Sequence, residues 1–120
     1  MGDRGQVLIK GYDGGLGVCL YTHYGARTLP STVKAALAKK WRWDDREYLA
    51  RIIFDTMTEG KHGMELGYGI GTEVHKDVWR LVIVDCDKMT VTIEDWGKPV
   101  ATYTFDEFIE TSDETLNKEG

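Results

Sequence analysis

Two segments of helical period lie side by side between residues 30 and 57, and runs of strand length flank them on both sides. This order sharply limits the folds open to the chain. Helices grouped between two sets of strands predict an α+β domain rather than alternating βαβ units. The expected arrangement is a mostly antiparallel sheet of five or six strands, two main helices on one face and a short C-terminal helix.

Residues 6–12 are rich in Val, Leu and Ile and read as the first strand. Asp13-Gly14-Gly15 follows, a turn sequence tolerant of positive φ, and residues 18–24 read as the returning strand. Pro30 suits the first turn of a helix, and Val33, Ala36, Leu37 and Trp41 recur at helical spacing, which predicts a helix over 30–40. For the second helix Asp44 is the expected N-cap and Glu47 its N3 partner, with Trp43 and Tyr48 as the hydrophobic staple. Leu49, Ile52, Ile53, Thr56 and Met57 form its apolar stripe, and Gly60 follows its end.

Glycines at 60, 63, 67, 69 and 71 predict a turning segment with a short strand over 68–70. Residues 78–85 are almost continuously apolar, interrupted by Arg80, and read as a central strand covered on both faces. Asp85 to Met89 is a hairpin connection, residues 90–94 alternate, 96–99 turn, and 100–104 make a final strand. Thr104 and Glu107 form a capping box that opens a helix over 105–110. Residues 1–110 are thus expected as one globular domain, and 111–120 as a polar, flexible tail.

Composition sets limits on function. With 120 residues, 42% hydrophobic and 29% charged, the chain suits one small domain and is too apolar to be disordered throughout. Its net charge of −5 argues against nucleic acid as a partner. No apolar run approaches the roughly 20 residues needed to span a bilayer. The first residues lack the apolar stretch of a signal peptide, so a cytoplasmic protein without membrane contact is expected.

Charge is divided along the chain. Residues 27–42 carry five bases and no acid, whereas residues 85–120 carry ten acids against three bases. Lys39, Lys40, Trp41, Arg42 and Trp43 combine cations with large aromatics and are the candidate partner-binding segment. The acidic end is suited to a basic protein surface, or to imitating the charge of nucleic acid.

Leu20-Tyr21-Thr22-His23-Tyr24-Gly25 is the best local candidate for chemistry, because it stands at a strand end and holds a histidine. Tyr21, His23 and Tyr24, with Arg51 as an anion-binding side chain and Tyr68 in the glycine-rich segment as part of a lid, form the candidate ligand site. No metal or cofactor is expected. His23, His62 and His75 lack zinc-ligand spacing, and the glycines make neither a dinucleotide fingerprint nor a P-loop. Asp85, Asp87, Glu94 and Asp95 match no EF-hand loop, and hairpin-turn chemistry accounts for the first two. Cys19 and Cys86 read as buried thiols, with a Cys19–His23 nucleophile pair as the alternative.

Met1-Gly2-Asp3-Arg4-Gly5, Leu20 to Gly25, Tyr48-Leu49-Ala50-Arg51-Ile52-Ile53-Phe54, Gly67-Tyr68-Gly69-Ile70 and Phe105-Asp106-Glu107-Phe108, in that order, resemble a small uncharacterised family of bacterial, archaeal and phage proteins. The resemblance spans about residues 1–110, and the family pattern often carries Trp where this chain has Tyr24. It implies a compact domain and a prokaryotic or phage setting, and it assigns no activity. The expected function is therefore non-enzymatic binding of a macromolecule, another protein, by a monomer or homodimer. The alternative is a small-molecule-binding protein or hydrolase built on His23, Tyr21 and Arg51.

Overall fold

The computed structural model describes residues 2–120. The described residues form a six-stranded sheet in the order β3-β2-β1-β4-β5-β6. Its strands are β1 (Gly5–Ile9), β2 (Val18–Thr22), β3 (Tyr68–Gly71), β4 (Arg80–Asp85), β5 (Thr90–Asp95) and β6 (Lys98–Thr104). Every neighbouring pair is antiparallel except β1 and β4. Helices α1 (Leu29–Leu37) and α2 (Arg46–Met57) follow β2, while α3 (Phe105–Glu110) and α4 (Asp113–Asn117) follow β6. The fold is the expected α+β arrangement.

The parallel β1–β4 pair follows from the path of the chain. Strand β3 lies at one edge, so the connection to β4 must pass back across β2 and β1. Gln6 fastens this crossing. Its side-chain amide donates to the Glu73 carbonyl at 3.1 Å, and its oxygen accepts from the His75 N–H at 2.8 Å. A glutamine 1% exposed in a strand is thereby satisfied at both ends.

One face of the sheet is apolar and covered by helices. Val7, Ile9, Leu20, Val82, Val84, Val91 and Ile93 meet Leu29, Val33, Leu37, Leu49, Ile53 and Met57 there, and Phe105, Phe108 and Leu116 close the far end. Burying each of these larger side chains contributes about 1.5–3 kcal/mol. The other face has no helix. Leu8, Leu81 and Ile83 remain half-buried on it, so β4 is not covered on both faces as its apolar run suggested.

Two local readings shift. The cap of α2 is Asp45, not Asp44: one carboxylate oxygen accepts from the N–H groups of Glu47 and Tyr48, both at 3.2 Å. The capping box and staple therefore do not form. Trp43 turns inward instead, donating to the Leu37 carbonyl at 3.0 Å and meeting Phe105 edge-on at 5.2 Å. The capping box of Thr104 and Glu107 is present as read.

Residues 111–120 are not a free tail. Leu116 is 1% exposed inside the core, and Ser112 caps α4. Asn117 exchanges hydrogen bonds with Ser31, and Lys34 reaches Asp113 and the Thr111 carbonyl. The globular unit thus runs to the end of the chain, because one apolar side chain and buried Arg80 hold a segment whose composition is otherwise polar.

Candidate functional site

The segment joining α1 to α2 presents the basic and aromatic residues singled out in the sequence. Lys40 (φ 58°) and Arg42 (φ 57°) both adopt the left-handed conformation, which costs an L-residue roughly 1–2 kcal/mol. These two bends fix the tip. They turn Trp43 into the core and leave Trp41 58% exposed. The Lys39 ammonium lies 5.0 Å from the Trp41 ring, and the Arg42 guanidinium lies 4.6 Å from the ring of exposed Tyr48. The lysines also stand at the C-terminal end of α1, where positive charge is favoured.

Arg51 belongs to this surface, not to the histidine. It is exposed on α2, three residues beyond Tyr48, and pairs with Asp55 at 2.6 Å. Glu47, Tyr48 and Arg51 line a shallow depression of about 320 Å³. Of the partner-binding candidates, Lys39, Lys40, Trp41 and Arg42 are exposed together, and Trp43 is a packing residue.

Of the ligand-site candidates, Tyr21, His23 and Tyr24 form a run of aromatic contacts at the end of β2, with the His23 and Tyr24 rings 4.4 Å apart, and Arg51 does not join them. Tyr21 and His23 lie on the helix-free side, where the tyrosine hydroxyl is 3.4 Å from His23 Nδ1 and its ring meets His75 edge-on at 5.6 Å. That hydroxyl contact is long for a hydrogen bond. Among the described residues, no carboxylate makes a hydrogen bond or ion pair with the histidine. The His23 ring also packs so closely on Gly2 that a Cβ there would stand 2.5 Å from it. The His23 ring thus lies against the chain just ahead of β1.

Tyr24 and Tyr68 line a different pocket, of about 220 Å³, on the helix side. Thr22, Thr28 and Thr32 supply hydroxyls to it, and Lys61 supplies a cation. The Thr22 hydroxyl accepts from the Gly25 N–H at 3.1 Å, and Thr32 donates to the Thr28 carbonyl at 3.1 Å. Sequence reading missed the three threonines and Lys61. Thr28 and Thr32 are one helical turn apart, which was the available signal.

Neither thiol is activated. Burial pushes Cys19 up from the ordinary thiol value and Cys86 up to about 11, and both are free. Three of the four carboxylates near the hairpins are already engaged. Asp85 accepts from the N–H groups of Asp87 and Lys88, Asp87 pairs with Arg46, and Asp95 pairs with Arg80. Among the described residues, no group of His, Cys, Asp and Glu could hold a metal ion, and no helix is long and apolar enough to cross a membrane. Compared with protein-family models, curated proteins and solved structures, the chain matches none of them.

Proposed function

We propose that this chain is a non-enzymatic protein-binding module whose α1–α2 tip docks on an acidic surface of a partner protein. The observation that carries this reading is the pair of exposed cation–aromatic contacts, Lys39 on Trp41 and Arg42 on Tyr48, held on a backbone bent twice into the left-handed region. Exposed Trp, Tyr and Arg are the residue types that dominate binding energy at protein interfaces. Strained backbone is retained where the surrounding structure uses it. The same reading places the chain in the cytoplasm of a prokaryote or its phage, on the resemblance of its sequence segments, as a monomer or homodimer.

The test is affinity capture with the wild type and with a Lys39→Ala, Trp41→Ala, Arg42→Ala variant. Its substitutions are exposed, so it keeps its thermal midpoint. A protein held by the wild type, released by salt and lost with the variant supports the proposal. An unchanged set of captured proteins refutes it.

A second reading, binding of a small polar ligand, draws on the Tyr24–Tyr68 pocket and its hydroxyls. A ligand retained by the purified protein and lost on Tyr68→Phe would favour it.

A further inference from the structure

The helix-free face holds a groove of about 450 Å³ between the crossing segment 74–78 and the β5–β6 hairpin. Its character is opposite to that of the tip. Trp79 and Trp96 stack in its wall with ring centroids 5.8 Å apart and planes inclined by 29°. Leu81 lies on its floor, and Glu94 stands directly across from Leu81 on β5.

Trp96 is out of place by ordinary turn chemistry. Asp95 pairs with Lys98, so Trp96 and Gly97 form a two-residue hairpin loop, with φ of 55° and 79°. Such turns favour Asn, Asp or Gly at the first position, because a bulky side chain is strained at positive φ. Here a tryptophan occupies it and is 72% exposed. The fold gains little burial from that ring, and the neighbouring stack on Trp79 accounts for only one of its faces.

Glu94 lacks a counter-ion. It is half-buried, and it makes no ion pair among the described residues. The other lining carboxylate, Asp77, is neutralised by Arg4 at 2.6 Å, and Lys76, which also lines the groove, makes no ion pair with Glu94 among the described residues. An indole face beside an unpaired carboxylate selects a cation. The planar, weakly hydrated guanidinium suits this better than an ammonium, since it stacks and hydrogen-bonds a carboxylate at once. The fold already makes one such contact: the Arg80 guanidinium lies 4.5 Å from the Trp79 ring.

We infer that this groove binds an arginine side chain presented by an extended, basic segment of a partner protein, with Trp96 as the stacking surface and Glu94 as the counter-ion. The groove is only about half enclosed, whereas small free ligands bind where most of their surface is buried. Leu81 receives the aliphatic stem. The net charge of −5 adds a modest long-range attraction for a basic segment. This site is separate from the α1–α2 tip, and neither depends on the other.

The test is fluorescence anisotropy of a labelled Gly-Ser peptide carrying arginine, against the same peptide with Gln in place of arginine. The probes are added to the full chain and to Glu94→Gln and Trp96→Asn. Asn tolerates the left-handed turn, so the second variant keeps the hairpin. The arginine peptide is expected to bind at least about tenfold more tightly than the Gln peptide, and each variant to lose about five- to tenfold. Equal binding of both peptides, no binding at all, or full binding by Trp96→Asn overturns the assignment. A dimer of the free chain that Trp96→Asn dissolves also overturns it, since a second copy would then occupy the groove.

Discussion

Arg80 and Asp95 stand opposite each other on β4 and β5 as a bidentate ion pair, at 2.8 and 2.9 Å, with side chains 0% and 1% exposed. The remaining guanidinium protons go to the carbonyls of Arg27, Asn117 and Lys118, and the Gly120 N–H donates to Asp95. Each donor of the buried cation is thus used. The pair joins the sheet, the turn before α1 and residues 117–120.

Removing one partner leaves the other charged and buried. Arg80→Met is expected to lower stability by about 3–5 kcal/mol. Converting both residues, with Asp95→Leu added, should recover part of that loss. Urea unfolding of the single and double variants measures both. A double variant no more stable than Arg80→Met would mean that the ties to the C-terminal carbonyls matter more than the unpaired charge.

Acid should destabilise the fold through the same carboxylate. Burial alone would raise Asp95, but the hydrogen bonds from Arg80 and Gly120, with the Arg80 charge, outweigh it and hold the group below its ordinary value. Asp85 behaves alike: burial raises it, and the N–H groups of Lys88 and Asp87, with Lys10 and Lys88, more than reverse this. A lowered carboxylate stabilises the fold above its unfolded value, near 3.9, and loses that contribution as pH falls through the folded value. Urea midpoints should therefore be flat from neutral pH to about 5 and fall steadily below that. Asp95→Asn should flatten the acid limb.

Leu116 makes the role of the C-terminal segment measurable. Leu116→Ala removes a fully buried side chain and is expected to cost about 2–4 kcal/mol. Thermal unfolding of this variant should show a single transition at a lower midpoint. An unchanged midpoint would mean that residues 111–120 contribute no stability.

The two thiols should be inert in the folded state. Both are buried and raised, Cys86 to about 11, so neither supplies thiolate near neutral pH. Alkylation at pH 8 is expected to modify neither in native buffer and both in urea. Rapid native labelling of Cys19 would reopen its reading as a nucleophile.

Local patterns were legible where local physics decides them. Period-2 and period-3.6 spacing located both helices and the strand pairs, and the Thr104–Glu107 box located α3. The cap of α2 moved by one residue because Arg42 takes a left-handed turn that no propensity forecasts. The docked C-terminus was hidden because its anchor, Arg80, is distant in sequence and interrupts an apolar run. Alternation separates Tyr21 and His23 from Tyr24, yet the His23 and Tyr24 rings meet at 4.4 Å, because both residues lie beyond the end of β2, where strand alternation no longer holds. Nor does alternation show that Arg51 on α2 pairs with Asp55 instead of joining them.

Binding is assigned to the α1–α2 tip, and amide hydrogen exchange of the chain, alone and with a partner obtained by capture, reads where that partner sits. Protection confined to residues 38–51 is the predicted result. Protection centred on β2 and β3, with the tip unchanged, would contradict it and move the function to the Tyr24–Tyr68 pocket.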